Sequence, residues 1–161
     1  MQFNVAGLLQ EPVGATRRHE VAEDVGRIDE QLMATEPVQG HAKLTRTNAG
    51  ILVDAKLHTA VRLHCSRCLI ELVVPLDLRF SEEYQPAVDI ATGLSLPQPE
   101  EWSVFKIDET HILDLSEAFR QYALLALPMA PLCDAACAGL CPECGHNLNE
   151  GPCQCTPRST S

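Results

Sequence analysis

The chain has 161 residues, of which 45% are hydrophobic and only 4% aromatic, so it can bury one mainly aliphatic core with an appendage, or form two small units. Its formal net charge of −10 is unfavourable for gripping a phosphate backbone. That charge suits a basic partner or simply keeps the protein soluble. No apolar run approaches the roughly 20 residues that cross a bilayer, which excludes a helical membrane protein.

The first part of the chain is predicted to contain one short helix and one strand. Residues 2–10 carry apolar side chains at short-helix spacing, and residues 11–14 form a predicted turn. Residues 16–21 are predicted to form a strand. Residues 22–36 are acidic and lack clear periodicity, so we expect a loop there.

The centre of the chain has the clearest strand pattern. Apolar and polar side chains alternate over residues 51–65, as in a strand with one exposed face, and residues 39–46 precede it as a partner strand. Because this stretch is long for one strand, we expect a bend or break near Thr59. The alternation resumes over residues 70–80, which places the intervening cysteine pair at the tip of an antiparallel hairpin.

A loop, a short strand and a helix are predicted to follow. Residues 85–103 contain three prolines and are expected to form a mobile loop, and residues 102–107 are expected to form a short strand. Asp114 and Glu117 are placed to cap a helix over residues 115–127, whose apolar side chains share one face.

Together these elements predict an α+β fold. We expect an antiparallel β-sheet or partly open barrel with one packed C-terminal helix over residues 1–131, followed by a cysteine-rich zinc-binding tail over residues 132–161. The tail has too few large apolar side chains to bury a core, so a metal must organise it.

Eight cysteines crowd into two places, and four thiolates around one ion is how proteins hold structural zinc. The spacing, C-x-x-C in the hairpin and C-x3-C-x3-C-x2-C-x8-C-x-C in the tail, predicts one or two Zn²⁺ ions, with two favoured. Gly145 permits the tight turn that aims backbone N–H groups at sulfur in a zinc knuckle. The predicted ligands are Cys65, Cys68, Cys133, Cys137, Cys141, Cys144, Cys153 and Cys155.

Two other uses of the cysteines stay open. Disulfides would suit a small secreted protein, but the first residues lack the basic and apolar regions of a signal peptide, so we expect a cytoplasmic location. Redox-active or partly free thiols are the other use, because C-x-x-C pairs are also found at redox sites.

The cysteines can share two ions in two ways. In the first division, the four cysteines after residue 140 form one local set, and the hairpin pair joins Cys133 and Cys137. In the second, the two C-x-x-C pairs share one ion and the other four cysteines share the next. We favour the first, because the eight residues between Cys144 and Cys153 make a compact return loop. His64 and His146 are weaker candidates to replace a sulfur.

The sequence has no motif of a known enzyme class: it lacks a Walker loop, an H-E-x-x-H and a G-x-S-x-G. Catalytic zinc keeps an open coordination position, whereas eight cysteines in sets of four indicate closed sites. We therefore expect a non-enzymatic protein with no small-molecule substrate and no membrane partner.

Several segments together carry a resemblance to one family. The most specific are the C-x-R-C-L hairpin at residues 65–69 and the G-L-C-P-x-C-G-x-N-L-N stretch at residues 139–149. The sequence resembles the YceD-like family, the large ribosomal RNA subunit accumulation proteins, over most of the chain. The other matching segments are residues 5–9, 12–14, 50–53, 80–84, 114–115, 127–128 and 137–138.

The resemblance implies a bacterial factor, with relatives in plastids, that supports accumulation or processing of large-subunit ribosomal RNA and ribosome assembly. The partner it implies is a large-subunit precursor or a basic ribosomal protein, and direct RNA contact is left open by the acidic charge. Two alternatives remain: a zinc-stabilised protein-interaction module of another pathway, and a thiol redox or metal-handling protein.

Overall fold

A computed structural model describes residues 1–97 and 105–155. The chain contacts divide into two compact units. The first unit joins Met1–Val61 with Pro75–Leu127, and the second joins Arg62–Val74 with the chain from Pro128 onward. The hairpin tip thus groups with the tail, whereas the division at residue 131 that the sequence suggested stays a prediction.

The first unit is built on a seven-stranded sheet with the order β1-β9-β8-β7-β6-β5-β2. β3 and β4 form a separate two-stranded sheet. Among the described residues there are two helices, α1 at Ala6–Leu9 and α2 at Ser116–Ala126. The strands are β1 Gln2–Asn4, β2 Thr16–Glu23, β3 Arg27–Asp29, β4 Leu32–Met33, β5 Val38–Arg46, β6 Ile51–His64, β7 Glu71–Pro86, β8 Phe105–Ile107 and β9 Ile112–Asp114.

The fold class predicted from the sequence is confirmed, with one addition. β2, β5 and β6 pair antiparallel. β6 and β7 also run antiparallel, because Asp54 contacts Ser81 whereas His58, further along β6, contacts Asp77, earlier on β7. β7 and β8 pair in parallel, so the sheet is mixed. The predicted strand at residues 102–107 is β8 from Phe105 on, and residues 102–104 lie outside the described residues.

The expected break near Thr59 is wrong, because β6 is one continuous strand. Thr59, Ala60 and Val61 are buried in succession, which interrupts the alternation of buried and exposed residues. The cause is a chain segment that covers this part of the strand: Ala34 forms a bridge with Val61, and the Thr59 hydroxyl donates to the carbonyl oxygen of Glu36 at 2.8 Å.

The loop expected over residues 22–36 is also wrong. β2 extends to Glu23, and β3 and β4 form a short hairpin within that range. Ile28 and Leu32 from this hairpin are buried, so two apolar side chains are enough to anchor it although no periodicity is visible.

α2 begins two residues after the predicted cap. The Asp114 carboxylate accepts a hydrogen bond from the Ser116 backbone N–H at 2.8 Å, but the Glu117 side chain pairs with Arg120 instead of closing a capping box. The helix buries Ala118, Phe119 and Ala123, whereas Leu125, expected on the apolar face, is exposed. Neither described helix is long or apolar enough to cross a membrane.

α2 and β7 meet at an aromatic contact on the inner side of the sheet. The rings of Tyr122 and Phe80 stack with centroids 4.8 Å apart, and the Tyr122 hydroxyl donates to Glu82 at 2.6 Å. Phe80 belongs to the buried set of β7, with Leu76 and Leu78. The opposite side of β7 therefore faces away from the core and carries exposed side chains.

Candidate metal centres

The first sulfur group joins the hairpin tip to the start of the tail. Cys65 and Cys68 lie between β6 and β7, and Cys133 and Cys137 follow α2. The sulfur atoms of Cys65 and Cys137 are 3.8 Å apart, and those of Cys68 and Cys133 are 3.5 Å apart. All four sulfurs lie within 4.8 Å of one another.

The second sulfur group is local to the tail. It joins Cys141 and Cys144 with Cys153 and Cys155, and its sulfurs also lie within 4.8 Å of one another. The sulfurs of Cys153 and Cys141 are 3.4 Å apart. The two groups reproduce the first of the two divisions that the sequence allowed, and both lie within the second unit.

The donor sets fit a tetrahedral thiolate site. Zinc–sulfur bonds of about 2.3 Å in a tetrahedron separate neighbouring sulfurs by about 3.8 Å. The sulfur distances of 3.4–3.8 Å lie near that value. No cysteine forms a disulfide, whose sulfurs would be about 2.0 Å apart. Each group can therefore hold one metal ion.

The two C-x-x-C turns have the same backbone hydrogen bonds. The N–H of Leu69 donates to the Cys65 carbonyl at 3.0 Å, and the N–H of Gly145 donates to the Cys141 carbonyl at 2.8 Å. The N–H of each first cysteine in turn bonds the carbonyl five residues ahead, on Ile70 and His146. The hairpin and the tail thus contain the same type of turn.

The residue after each second cysteine has a left-handed backbone. Gly145 has φ +73°, which confirms the role that the sequence gave it. Leu69 has φ +59° at the matching place in the hairpin, where a side chain costs about 1–2 kcal/mol. The hairpin turn therefore carries strain that the tail turn avoids.

Backbone N–H groups stabilise one thiolate in each group. The pKa of Cys65 is lowered to about 6, mainly by the N–H of Cys68 and also by those of Arg67 and Cys133, while burial opposes the shift. The pKa of Cys141 is lowered to about 6 by the N–H groups of Cys144 and Glu143. Metal binding needs thiolates, so these turns prepare one ligand of each group.

Asn149 is a functional residue that the sequence reasoning missed. Its side-chain N–H donates to the sulfur of Cys137 at 3.3 Å, and this contact is the main cause that lowers the pKa of Cys137. Its side-chain oxygen accepts from the N–H of Ala138 at 2.7 Å. Asn149 lies in the return loop of the second group, so one side chain links that loop to a sulfur of the first. Its place in the G-L-C-P-x-C-G-x-N-L-N stretch was the available signal.

Arg67 adds a second contact between the hairpin tip and the tail. Its guanidinium donates to the carbonyl oxygen of Cys137 at 2.9 Å. His64 and His146, the weaker candidate ligands, belong to neither group of converging donor atoms in the part of the chain that is described. Within the described residues, the two groups of four cysteine sulfurs are thus the only groups of three or more His, Cys, Asp or Glu donor atoms that converge.

Comparison with known proteins gives a match to a family described as large ribosomal RNA subunit accumulation protein YceD. The match covers residues 53–161, which is more than half of the chain and includes all eight cysteines. The chain belongs to this family. The resemblance that the sequence motifs suggested is thereby confirmed.

Similar proteins occur in mycobacteria and in a plant. Uncharacterized proteins of Mycobacterium tuberculosis and Mycobacterium bovis are 27% identical over 157 residues, which covers 94% of this chain and 72% of each relative. The chloroplastic large ribosomal RNA subunit accumulation protein YCED homolog 1 of Arabidopsis thaliana is 26% identical over 140 residues, 74% of this chain and 44% of that protein. No solved structure matches significantly.

Proposed function

We propose that this protein supports accumulation of large-subunit ribosomal RNA and assembly of the large subunit, and that each sulfur group holds one structural Zn²⁺. The observation that carries the proposal is the family match, because its span includes both sulfur groups. The relative from Arabidopsis carries the same function in its name. We place the protein in the cytoplasm, where bacterial ribosomes assemble.

Zinc in this proposal shapes the second unit and performs no reaction. Four protein ligands complete the tetrahedron of each ion, so neither site keeps a position for a substrate. Cys65, Cys68 and Cys137 themselves form the buried centre of this unit, with Leu72 and Leu140 packed against it. The ions supply the cohesion that so small an apolar core does not. The protein acts by binding, not by catalysis.

The partner in this proposal is a precursor of the large subunit, with a basic ribosomal protein as one contact. The formal charge of −10 attracts basic surfaces. Each ion with four thiolates carries a net charge of about −2, which makes the loaded protein still more acidic.

Thiol redox chemistry is the alternative with some support, because low-pKa cysteines are reactive when solvent reaches them. Here the two thiols whose pKa is near 6 are buried, with exposed fractions of 0% for Cys65 and 6% for Cys141. Burial of the most thiolate-like sulfurs favours ligands over redox nucleophiles.

Metal content distinguishes structural zinc binding from thiol redox chemistry. We expect protein purified without added zinc to contain about two Zn²⁺ per chain, and all eight cysteines to react with a thiol reagent after denaturation in chelator. One ion per chain would leave one group free for redox work. No metal and few reactive thiols would mean disulfides and would overturn the zinc proposal.

Ribosomal RNA tests the cellular role. We expect depletion of the protein to lower the ratio of large- to small-subunit ribosomal RNA, and the protein to sediment with precursors of the large subunit. Re-expression of the wild type restores the ratio, whereas Cys65→Ser with Cys68→Ser does not. An unchanged ratio after complete depletion would refute the role whatever the metal content.

A further inference from the structure

Four basic side chains lie close together on the outer face of the first unit. β2, β5, β6 and β7 are neighbours in the sheet order β7-β6-β5-β2, and alternate residues of each point away from the core. Two adjacent rows of side chains run across these four strands. The first row is Glu20, His41, Lys56 and Arg79, and the second is Arg18, Lys43, Asp54 and Ser81.

The register places two cations directly opposite each other, Arg18 and Lys43, and it places His41 opposite Lys56. Lys56 and Arg79 together line two shallow hollows on this face, of about 160 and 320 Å³, which also contain Asp77 and Asp54 respectively. Cross-strand neighbours of the same charge destabilise a sheet.

These four cations form no direct ion pairs with neighbouring carboxylates. No ion pair involves Arg18, Lys43, Lys56 or Arg79 within the residues that the structure describes. Asp54 is opposite Lys43, but its carboxylate accepts a hydrogen bond from Ser81. Other exposed polar side chains on the same strands do have partners, since a ring nitrogen of His58 lies 2.9 Å from a carboxylate oxygen of Asp77.

We propose that this band, defined as Arg18, Lys43, Lys56 and Arg79 with His41 between them, binds the phosphate backbone of RNA. The argument is charge complementarity: four cations without partners lie close together on a chain whose net charge is −10. The inference rests on the proposed function, which supplies large-subunit ribosomal RNA as the polyanion, and adds where the protein touches it.

The spacing of the band suits a repeating charge. Neighbouring strands are about 4.8 Å apart, and residues two apart on one strand are about 6.7 Å apart, so the cations form a small grid. A single carboxylate would engage one or two of them, whereas an RNA strand presents phosphates to all four. None of the eight positions holds Phe, Tyr or Trp, so binding uses phosphates without base stacking and has little sequence preference.

The carboxylates near the band limit how strongly it binds RNA. Two carboxylates, Glu20 and Asp54, share the eight positions, and Glu20 stands at the outer end of its row, on the terminal strand β2. Asp77 and Glu83 lie on the same side of β7, next to Arg79 and Ser81 respectively. We therefore expect this band to bind free RNA weakly and in a salt-sensitive way. Its contacts would orient the protein in a complex that other contacts hold together.

The test compares two double variants of equal net charge. Lys56→Glu with Arg79→Glu reverses the centre of the band, and Arg27→Glu with Lys106→Glu makes the same charge change at exposed strand positions elsewhere. Binding of a fluorescent single-stranded RNA from the large subunit is followed by anisotropy at about 50 to 200 mM salt. Circular dichroism and metal content confirm that each variant is folded.

We expect the band variant to bind about tenfold or more weakly than wild type, and the control to change by a much smaller factor. The slope of log affinity against log salt should fall from near −3 to about half that value for the band variant, since four phosphate contacts give about −0.7 each. Equal losses in both variants would mean that only net charge matters and would overturn the band. Absence of salt-dependent RNA binding by the wild type would overturn it too.

Failure of the band is distinguishable from failure of the proposed function. Both variants are also expressed in depleted cells, and the ratio of large- to small-subunit ribosomal RNA is measured. Full rescue by the band variant together with loss of its RNA binding would remove the band from the function but leave the ribosomal role intact. If the wild type itself does not rescue the ratio, the ribosomal role fails, while the binding measurement still decides the band.

Discussion

Replacement of Asn149 should weaken metal binding at the first sulfur group. The side chain donates to the sulfur of Cys137 and to the side-chain oxygen of Asn147, and it accepts from the N–H of Ala138. Asn149→Ala removes all three contacts, while Asn149→Asp keeps an oxygen acceptor for Ala138 but turns a second oxygen toward a thiolate. The pair of variants therefore separates the two donated hydrogen bonds from the acceptor for Ala138.

The size of the effect follows from the hydrogen bond to a charged sulfur. Partners that hydrogen-bond a metal ligand typically contribute about 10- to 100-fold in affinity. That range corresponds to about 1.4–2.8 kcal/mol. We expect Asn149→Ala to lower the affinity of the first group for its metal ion by a factor in this range. Asn149→Asp should lower that affinity at least as much, because its carboxylate repels the thiolate of Cys137 and no longer donates an N–H to it.

Competition with a chromogenic chelator measures the effect. The wild type should release two ions in resolvable steps, and both Asn149 variants should release the ion of the first group earlier while the second step changes less. Asn48→Ala, in the turn between β5 and β6, is the matched control and should leave both steps unchanged. If Asn149→Asp behaves like wild type while Asn149→Ala does not, the side chain supports only the loop, and the reasoning from sulfur is refuted.

Three further predictions concern the backbone and the pH dependence. Leu69→Gly should raise the stability of the metal-loaded protein by about 1 kcal/mol, seen as a higher Tm, because it removes a side chain from a left-handed position; a lower Tm would mean that contacts of the leucine outweigh the strain. Gly40→Ala should prevent folding of the first unit, judged by loss of soluble protein and of sheet signal in circular dichroism, since its Cβ would lie 2.0 Å from the carbonyl oxygen of Lys56. Arg120 holds the pKa of Glu117 at about 2 by hydrogen bonding, so the stability from this pair is present above pH 4.5 and is lost as the pH falls toward 2. Carbon NMR of the Glu117 carboxyl should show its pKa rising toward the ordinary value in Arg120→Met, and an unchanged pKa would contradict the assignment.

The parts of the fold that the sequence predicted are those governed by local pattern. The alternation along β6 and β7 places every second side chain on the core side, so both strands follow from a period of two. The C-x-x-C turns need only four or five consecutive residues, and the role of Gly145 could be predicted because glycine is the usual residue at positive φ.

The parts that the sequence did not predict depend on contacts between distant residues. The length of β6 suggested a bend or break near Thr59, but the strand is continuous there and the Thr59 hydroxyl donates to Glu36, which lies 23 residues away. The β3–β4 hairpin rests on two buried apolar residues, too few to produce a period. The role of Asn149 was missed for a similar reason although the residue lies in a specific motif, since its partner sulfur belongs to the other group and an asparagine in a loop is most often a turn residue.

The two sulfur groups differ in the length of chain that each must close. Cys141 and Cys153 are 12 residues apart, whereas Cys68 and Cys133 are 65 residues apart. Loop closure becomes slower and entropically more costly as the chain between the ends grows. Both groups are complete only after β7 and α2 have been synthesised, because Cys133, Cys137 and the whole second group follow α2. The second group then gathers its ligands by local collisions, whereas the first must bring together two pairs of cysteines separated by β7 and α2, so metal capture there reports that this long loop has closed.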